Sequence, residues 1–367
     1  MILADLFDYL QWRGDLSFER APLNAVDALI FSALSYVHYD GLVQDGFQHP
    51  VPLEVVAAAF EKLPDREERV LLKNDGKLLL AAARTERFRN LKMVFYRNET
   101  VVHQETQFAA VVFLLPDEET AVLAFRGTDA TLVGWKEDFN MSFQTMVPAQ
   151  EKALYYTQMF AQGFDRDLVL CGHSKGGNLA VYAASRCPGE IQQRILGVYN
   201  NDGPGFTSAL MGDPGYVEMV PKIHSFVPQS SVIGMLLEHE EPYTVIKSRQ
   251  VSILQHDLYS WEVLGPGFVM VEEISDNSRF VNRTVRTWLA GKSLEDRNRF
   301  VDALFDLLGT GEVDSAWEIM MPWNLLNYLR TLNEDDEMRR VIGKELADLF
   351  RTATDLHKKK DVPALSD

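Results

Sequence analysis

"LVLCGHSKGGNLA" (residues 168–180) runs an apolar stretch into a serine with glycine on both sides, then into a small, apolar segment. A short, wholly apolar stretch marks a strand buried on both faces, as in a parallel sheet. "GHSKG" (172–176) fits G-x-S-x-G, the pattern of a strand–turn–helix elbow that lifts a serine hydroxyl above the sheet edge. The residues two before and two after the serine must be small, because side chains there would collide with the neighbouring strand and helix. The helix that follows aims backbone N–H groups and the positive end of its dipole at the turn, which suits a forming oxyanion. The competing reading is a turn that happens to contain serine. The strand on one side and "KGGNLAVYAASRC" (175–187), a helix closed by Pro188-Gly189, favour the elbow.

Outward from the elbow, strands and helices alternate. "RILGVYNND" (194–202) and "KIHSFVP" (222–228) read as strands, and 153–164 as a helix. "ETQFAAVVFLL" (105–115) and "TAVLAFRG" (120–127) are joined by the polar "PDEE" as a hairpin-like pair, and 241–250 and 268–274 can add edge strands. Helical patterns occupy 23–37, 52–63 and 76–88. Beyond about 276 the pattern is helical again, with Ser293 and Asp296 as a capping-box-like start before Phe300, Val301, Leu304, Leu307 and Leu308. The expected fold is α/β: a mainly parallel sheet flanked by helices, with extra N-terminal and C-terminal helices. The expected division is an α/β domain with a helical N-terminal part over 1–275 and a helical appendage over 276–367.

The net charge of −17 disfavours a nucleic-acid partner, since the single basic run, Lys358-Lys359-Lys360, belongs to the tail. Two cysteines, Cys171 and Cys187, exclude a disulfide scaffold and lack metal-site neighbours. The first residues, with Asp5 and Asp8 and no basic stretch, do not read as a secretory signal, and no apolar run reaches the ~20 residues a bilayer span needs. The expected compartment is the cytoplasm.

A serine hydroxyl needs a base. Among eight histidines, His38, His49 and His103 precede the elbow, whereas the order expected for this fold is serine, acid, histidine. His173 adjoins Ser174 on the turn and is a poor base. His224 starts an apolar strand, His239 stands among acids and reads as solvated surface, and His357 lies near the tail. His256, in "ILQHDLYSWEV", comes where the last member of a triad belongs.

A second stretch, "VLAFRGTDATLVGWKEDF" (122–139), resembles the lipase class 3 strand that ends in F-R-G-T or F-R-G-S and is followed by tryptophan and aspartate. "LVLCGHSKGGNLA" resembles that family's nucleophile elbow, and "QHDLYSWEV" its histidine segment. The resemblance covers residues 105–265 in patches and implies an α/β-hydrolase fold; the flanking helical parts resemble a bacterial branch related to these lipases. It implies that Thr128 supplies one oxyanion N–H and the backbone of Lys175 the second. The Lys175 side chain reads either as an exposed first-turn residue or as a cation for an anionic substrate.

One part of the family pattern is missing. The acid belongs in a segment that corresponds here to "SFVPQSSVIGML" (225–236), where Ser230 and Ser231 stand in its place. Asp202, in "YNNDGPGF" at the end of the preceding strand, is the substitute, because other α/β hydrolases place the acid there. Its competing reading is an Asx turn before Gly203. Asp257 and Glu238 are weaker alternatives. The segment 131–148 is unusually apolar for a connection, with Trp135, Phe139, Met141, Phe143 and Met146; it reads equally as a lid or as a core-packing helix. Trp135 and Phe139 are the substrate-contact candidates.

The implied chemistry is acyl transfer: Ser174 attacks, His256 moves the proton, Asp202 orients His256, and no metal or organic cofactor is needed. The expected substrate is a small ester or lipid-like molecule. A peptidase or amidase would use the same triad, and a non-catalytic binding protein is the reading from another class.

Overall fold

The computed structural model describes residues 4–101, 106–129, 132–141, 146–237, 239–309 and 322–360. His103, Phe143 and Glu238 lie outside the described residues. Eight strands form one sheet in sequential order: β1 (Val51–Pro52), β2 (Lys92–Val101), β3 (Thr106–Leu114), β4 (Thr120–Phe125), β5 (Asp167–His173), β6 (Ile195–Asn201), β7 (Ile223–Pro228) and β8 (Tyr243–Ile246). β1 to β4 pair antiparallel, and from β4 to β8 every pairing is parallel. The α/β sheet flanked by helices is thus present, with the hairpin β3–β4 at the "PDEE" turn.

The strand order decides where the helices go. Crossovers between parallel strands are right-handed, so a sheet that adds strands in one direction puts its crossover helices on one face. The N-terminal helices α1 (Leu6–Arg13), α2 (Ala25–Leu34), α3 (Leu53–Phe60) and α4 (Asp75–Ala82) supply cover for the other face. The crossovers themselves carry α5 (Leu132–Met141), α6 (Pro148–Gly163), α7 (Lys175–Arg186), α8 (Gly189–Arg194), α9 (Ser208–Met211) and α10 (Pro214–Met219). Alternation along the strands feeds both layers. Leu123, Phe125, Leu168 and Leu170 pack with α6 and α7, while Val122, Ala124, Val169 and Cys171 pack with α1 to α4. Residues Val26 to Leu34 of α2 are all buried, as a helix laid directly on a sheet requires.

Local chemistry starts the helices as the sequence suggests. Asn24 caps α2 by accepting from the N–H of Val26 and Asp27, and Asp27 reaches back to the Asn24 N–H. Ser293 accepts from the Asp296 N–H at the start of α12 (Leu294–Gly309). Around it lie α11 (Asp276–Ala290), α13 (Pro322–Glu334) and α14 (Asp336–Lys360), with Phe300, Val301 and Phe305 in one small core and Leu307, Tyr328 and Ile342 in another.

Some elements differ from expectation, and the sequence reading placed no strand over β2. The helix expected over 76–88 ends at Ala82, and the turns after it carry Arg87 into a fully buried pair with Asp27 (2.5 Å). β2 has neither clean alternation nor an unbroken apolar run: a bulge separates Val94 from Arg97, and Phe95 takes φ 56°. The edge strand expected over 268–274 shrinks to Gly267–Phe268, paired with Val263–Leu264 outside the main sheet.

Candidate active site

β5 ends at His173, and α7 begins at Lys175, so Ser174 alone makes the turn. It takes φ 58° and ψ −132°, a strained conformation for a residue with a side chain. The glycines around it are sterically obligatory. A Cβ on Gly172 would come closer than 3.0 Å to the backbone of Gly176 and Gly177, and one on Gly176 closer than 3.0 Å to the Phe125 carbonyl. The strand, the elbow helix and β4 therefore touch backbone to backbone, and Ser174 is driven up at the N-terminus of a 12-residue helix.

β6 ends one strand over, and Asp202 follows it with φ 55°. Its Oδ2 lies 2.6 Å from Nδ1 of His256, while Oδ1 accepts from the Ser231 hydroxyl (2.5 Å) and from the Gly234 N–H (3.2 Å). Asp202 is 1% exposed and His256 26% exposed, so the pair is shielded on the acid side and open on the imidazole side. The Asx-turn reading of Asp202 gives way to this pairing. The carboxylate thus engages Nδ1 of the imidazole, and the ring is partly open to solvent.

Ser231, one of the two serines in the place where the related pattern carries its acid, donates to Asp202 at the end of the neighbouring strand. Asp257 turns instead to its own backbone neighbourhood and accepts from the Tyr259 N–H (3.1 Å). Gln255 fixes the turn before His256. Its Oε1 accepts from the Ser230 N–H, its Nε2 donates to the Gln250 carbonyl, and its own carbonyl accepts from the buried Trp261 indole. Sequence reasoning missed Ser231, Gly234 and Gln255. The one signal was the unexplained serine pair at an acid's position.

Thr128 follows β4 by three residues, beside the elbow. A Cβ on Gly127 would strike the His173 carbonyl, and one on Gly134 of α5 would strike the Thr128 methyl. Thr128 is thus wedged between the elbow and α5. The Lys175 side chain corrects both earlier readings, since it neither faces solvent nor awaits a substrate. It is 1% exposed, and its ammonium donates to the Gln107 carbonyl (3.0 Å), the Gln107 side chain (2.9 Å) and Glu137 of α5 (3.1 Å). The same Glu137 accepts from the N–H groups of Gln107 and Ala149. These contacts tie α5 to the first residue of α7 and to β3 through a buried ion pair. Lys136 joins its outer side to Asp302 of α12 (2.7 Å). Trp135 and Phe139 lie on α5, and their side chains fall outside the described residues. His239 is a further correction: it is 8% exposed and pairs with the fully buried Glu241 (3.0 Å).

A sheet with this order, a strained serine elbow and an acid–histidine pair on the same edge define a lipase-like α/β-hydrolase fold. The sequence pattern of the family described as Mbeg1-like matches residues 82–306, more than half of the chain, and the chain belongs to that family. Among solved structures, lipase II from Rhizopus niveus is 16% identical with a TM-score of 0.30, the match covering 41% of this chain and 66% of that one. The chain thus spans just under two thirds of that lipase. The Rhizomucor miehei lipase propeptide complex is 13% identical with a TM-score of 0.37, the match covering 66% of this chain and 80% of that one. No curated protein matches the chain. Among the described residues, no helix is long and apolar enough to cross a membrane.

Proposed function

We propose that this protein is a serine hydrolase that cleaves carboxylic esters of hydrophobic acyl substrates through an acyl-enzyme. The observation that carries the reading is the 2.6 Å contact between Asp202 and Nδ1 of His256, on the sheet edge where Ser174 tops its elbow. In this reading Asp202 holds the imidazole with Nδ1–H toward the carboxylate. Nε2 takes the proton as Ser174 Oγ attacks the ester carbonyl, then returns it to the leaving alcohol. The N–H groups of Thr128 and Lys175 receive the oxyanion, reinforced by the N-terminus of α7. Water, activated by the same imidazole, releases the acyl group.

The apolar sequence of α5 and its place beside Thr128 support Trp135 and Phe139 as substrate contacts. Two free, buried cysteines support a cytoplasmic setting. A division at residue 275 also belongs to the proposal, although the family match runs on into α12. An amidase would share every one of these groups, and only substrates separate the two.

The test is a fluorophosphonate probe on the wild type, Ser174→Ala and His256→Ala, followed by matched ester and amide panels. Labelling of the wild type alone supports a serine hydrolase. A native wild type that resists the probe overturns it, and turnover of amides over esters overturns the ester assignment.

A further inference from the structure

The acyl-transfer steps leave one buried histidine of the site unused. His173 is the last residue of β5, directly before Ser174, and both of its ring nitrogens are engaged. Nε2 lies 2.8 Å from the backbone carbonyl of His256, and Nδ1 lies 2.9 Å from the Tyr36 hydroxyl. A carbonyl can only accept, so Nε2 carries the proton. Burial, with His256 beside it, holds His173 well below the ordinary imidazole range, so the ring is neutral and Nδ1 accepts from Tyr36. The imidazoles of His173 and His256 lie 4.6 Å apart, and Trp261 meets His173 edge-on.

Tyr36 lies where three loops meet. A Cβ on Gly127, in the turn before Thr128, would run into its hydroxyl. Through His173 it reaches both the elbow and the segment that carries His256. It comes from just past α2, outside the 82–306 span of the family match.

Resting on the serine-hydrolase reading, we propose that Tyr36 and His173 are positioning residues: the Tyr36 hydroxyl holds His173 in its Nε2–H tautomer, and that N–H fixes the His256 backbone so that its imidazole is held over Ser174. The opposite tautomer would set the Nε2 lone pair against the carbonyl lone pairs and push the His256 segment away. The N-terminal helices therefore complete the site as well as cover the sheet.

Two measurements test this on the full chain. The first is ¹⁵N-histidine NMR at neutral pH, with His173 assigned through His173→Gln. The wild type should show a protonated Nε2 and a bare Nδ1, and Tyr36→Phe a mixture of tautomers. A protonated Nδ1 in the wild type would overturn the proposal. The second is kinetics on a p-nitrophenyl ester, with fluorophosphonate labelling rates alongside. His173→Leu should lower kcat about 10- to 100-fold with KM within about twofold. His173→Gln, whose amide N–H can reach the same carbonyl, should recover most of the loss. Tyr36→Phe should cost about tenfold in the wild type and less than about twofold beside His173→Gln, which has no tautomer to lose.

Equal rates for the Leu and Gln variants, in a wild type that labels, would overturn the positioning role and leave the hydrolase reading intact. A wild type that neither labels nor turns over would overturn both.

Discussion

Ser174 and Asp202 end adjacent strands, and both adopt left-handed backbone, φ 58° and 55°. Their turns are held by opposite means. The Ser174 turn is closed by absence: Gly172 and Gly176 let β4, β5 and α7 approach backbone to backbone, with no room for a Cβ. The Asp202 turn is held by presence: its carboxylate collects Ser231, Gly234 and His256, from 29 to 54 residues away. A steric lock of this kind tolerates no added atom. A hydrogen-bonded one weakens in steps as its partners are removed. Strain at a functional turn survives only where its surroundings over-determine it, and these are two ways of doing so.

The largest effect should come at the serine turn itself. Ser174→Ala should abolish fluorophosphonate labelling and lower ester turnover about 10⁶-fold, with the thermal midpoint near that of the wild type. Next comes the carboxylate. Asp202→Asn keeps the shape but offers an amide to His256 and Ser231. It should lower kcat about 10⁴-fold, read by steady-state kinetics. Full turnover in this variant would return the acid to Asp257 or elsewhere.

The comparison is broken most directly by adding one carbon to the steric turn and removing one oxygen from the hydrogen-bonded turn. Gly172→Ala should destabilise the fold by about 3 kcal/mol or more in urea denaturation, because the neighbouring atoms are backbone and have nowhere to go. Ser231→Ala should cost only about 1–2 kcal/mol of stability. Its turnover should fall about tenfold, as Asp202 loses one of its holders. If Gly172→Ala proves the milder of the two on stability, the elbow is not the rigid element described here.

Legibility in the sequence followed the range of each interaction. The elbow was readable from five residues, since its constraint is the collision of near neighbours. β5 and α7 fell where the apolar stretch and its closing Pro188-Gly189 put them. β2 was not readable, because its bulge interrupts the period of two on which strand recognition depends. Chain order pointed to His256, which the fold sets against Asp202, whereas the Lys175 side chain was misread. A lysine at a helix start is ordinarily solvated, and only the arrival of Glu137 and Gln107 from α5 and β3 makes burial tolerable.

By itself the sequence determined the α/β alternation, the strained serine and the glycines that allow it, because those rest on local period and local sterics. The tertiary structure decided which carboxylate contacts His256, what Ser231 bonds to, and that a tyrosine from just past α2 reaches the elbow through His173. Those contacts join side chains from 29 to 137 residues apart. No spacing rule spans such distances. They exist only once the sheet has set β4, β5 and β6 in register and brought their carboxyl ends to one edge.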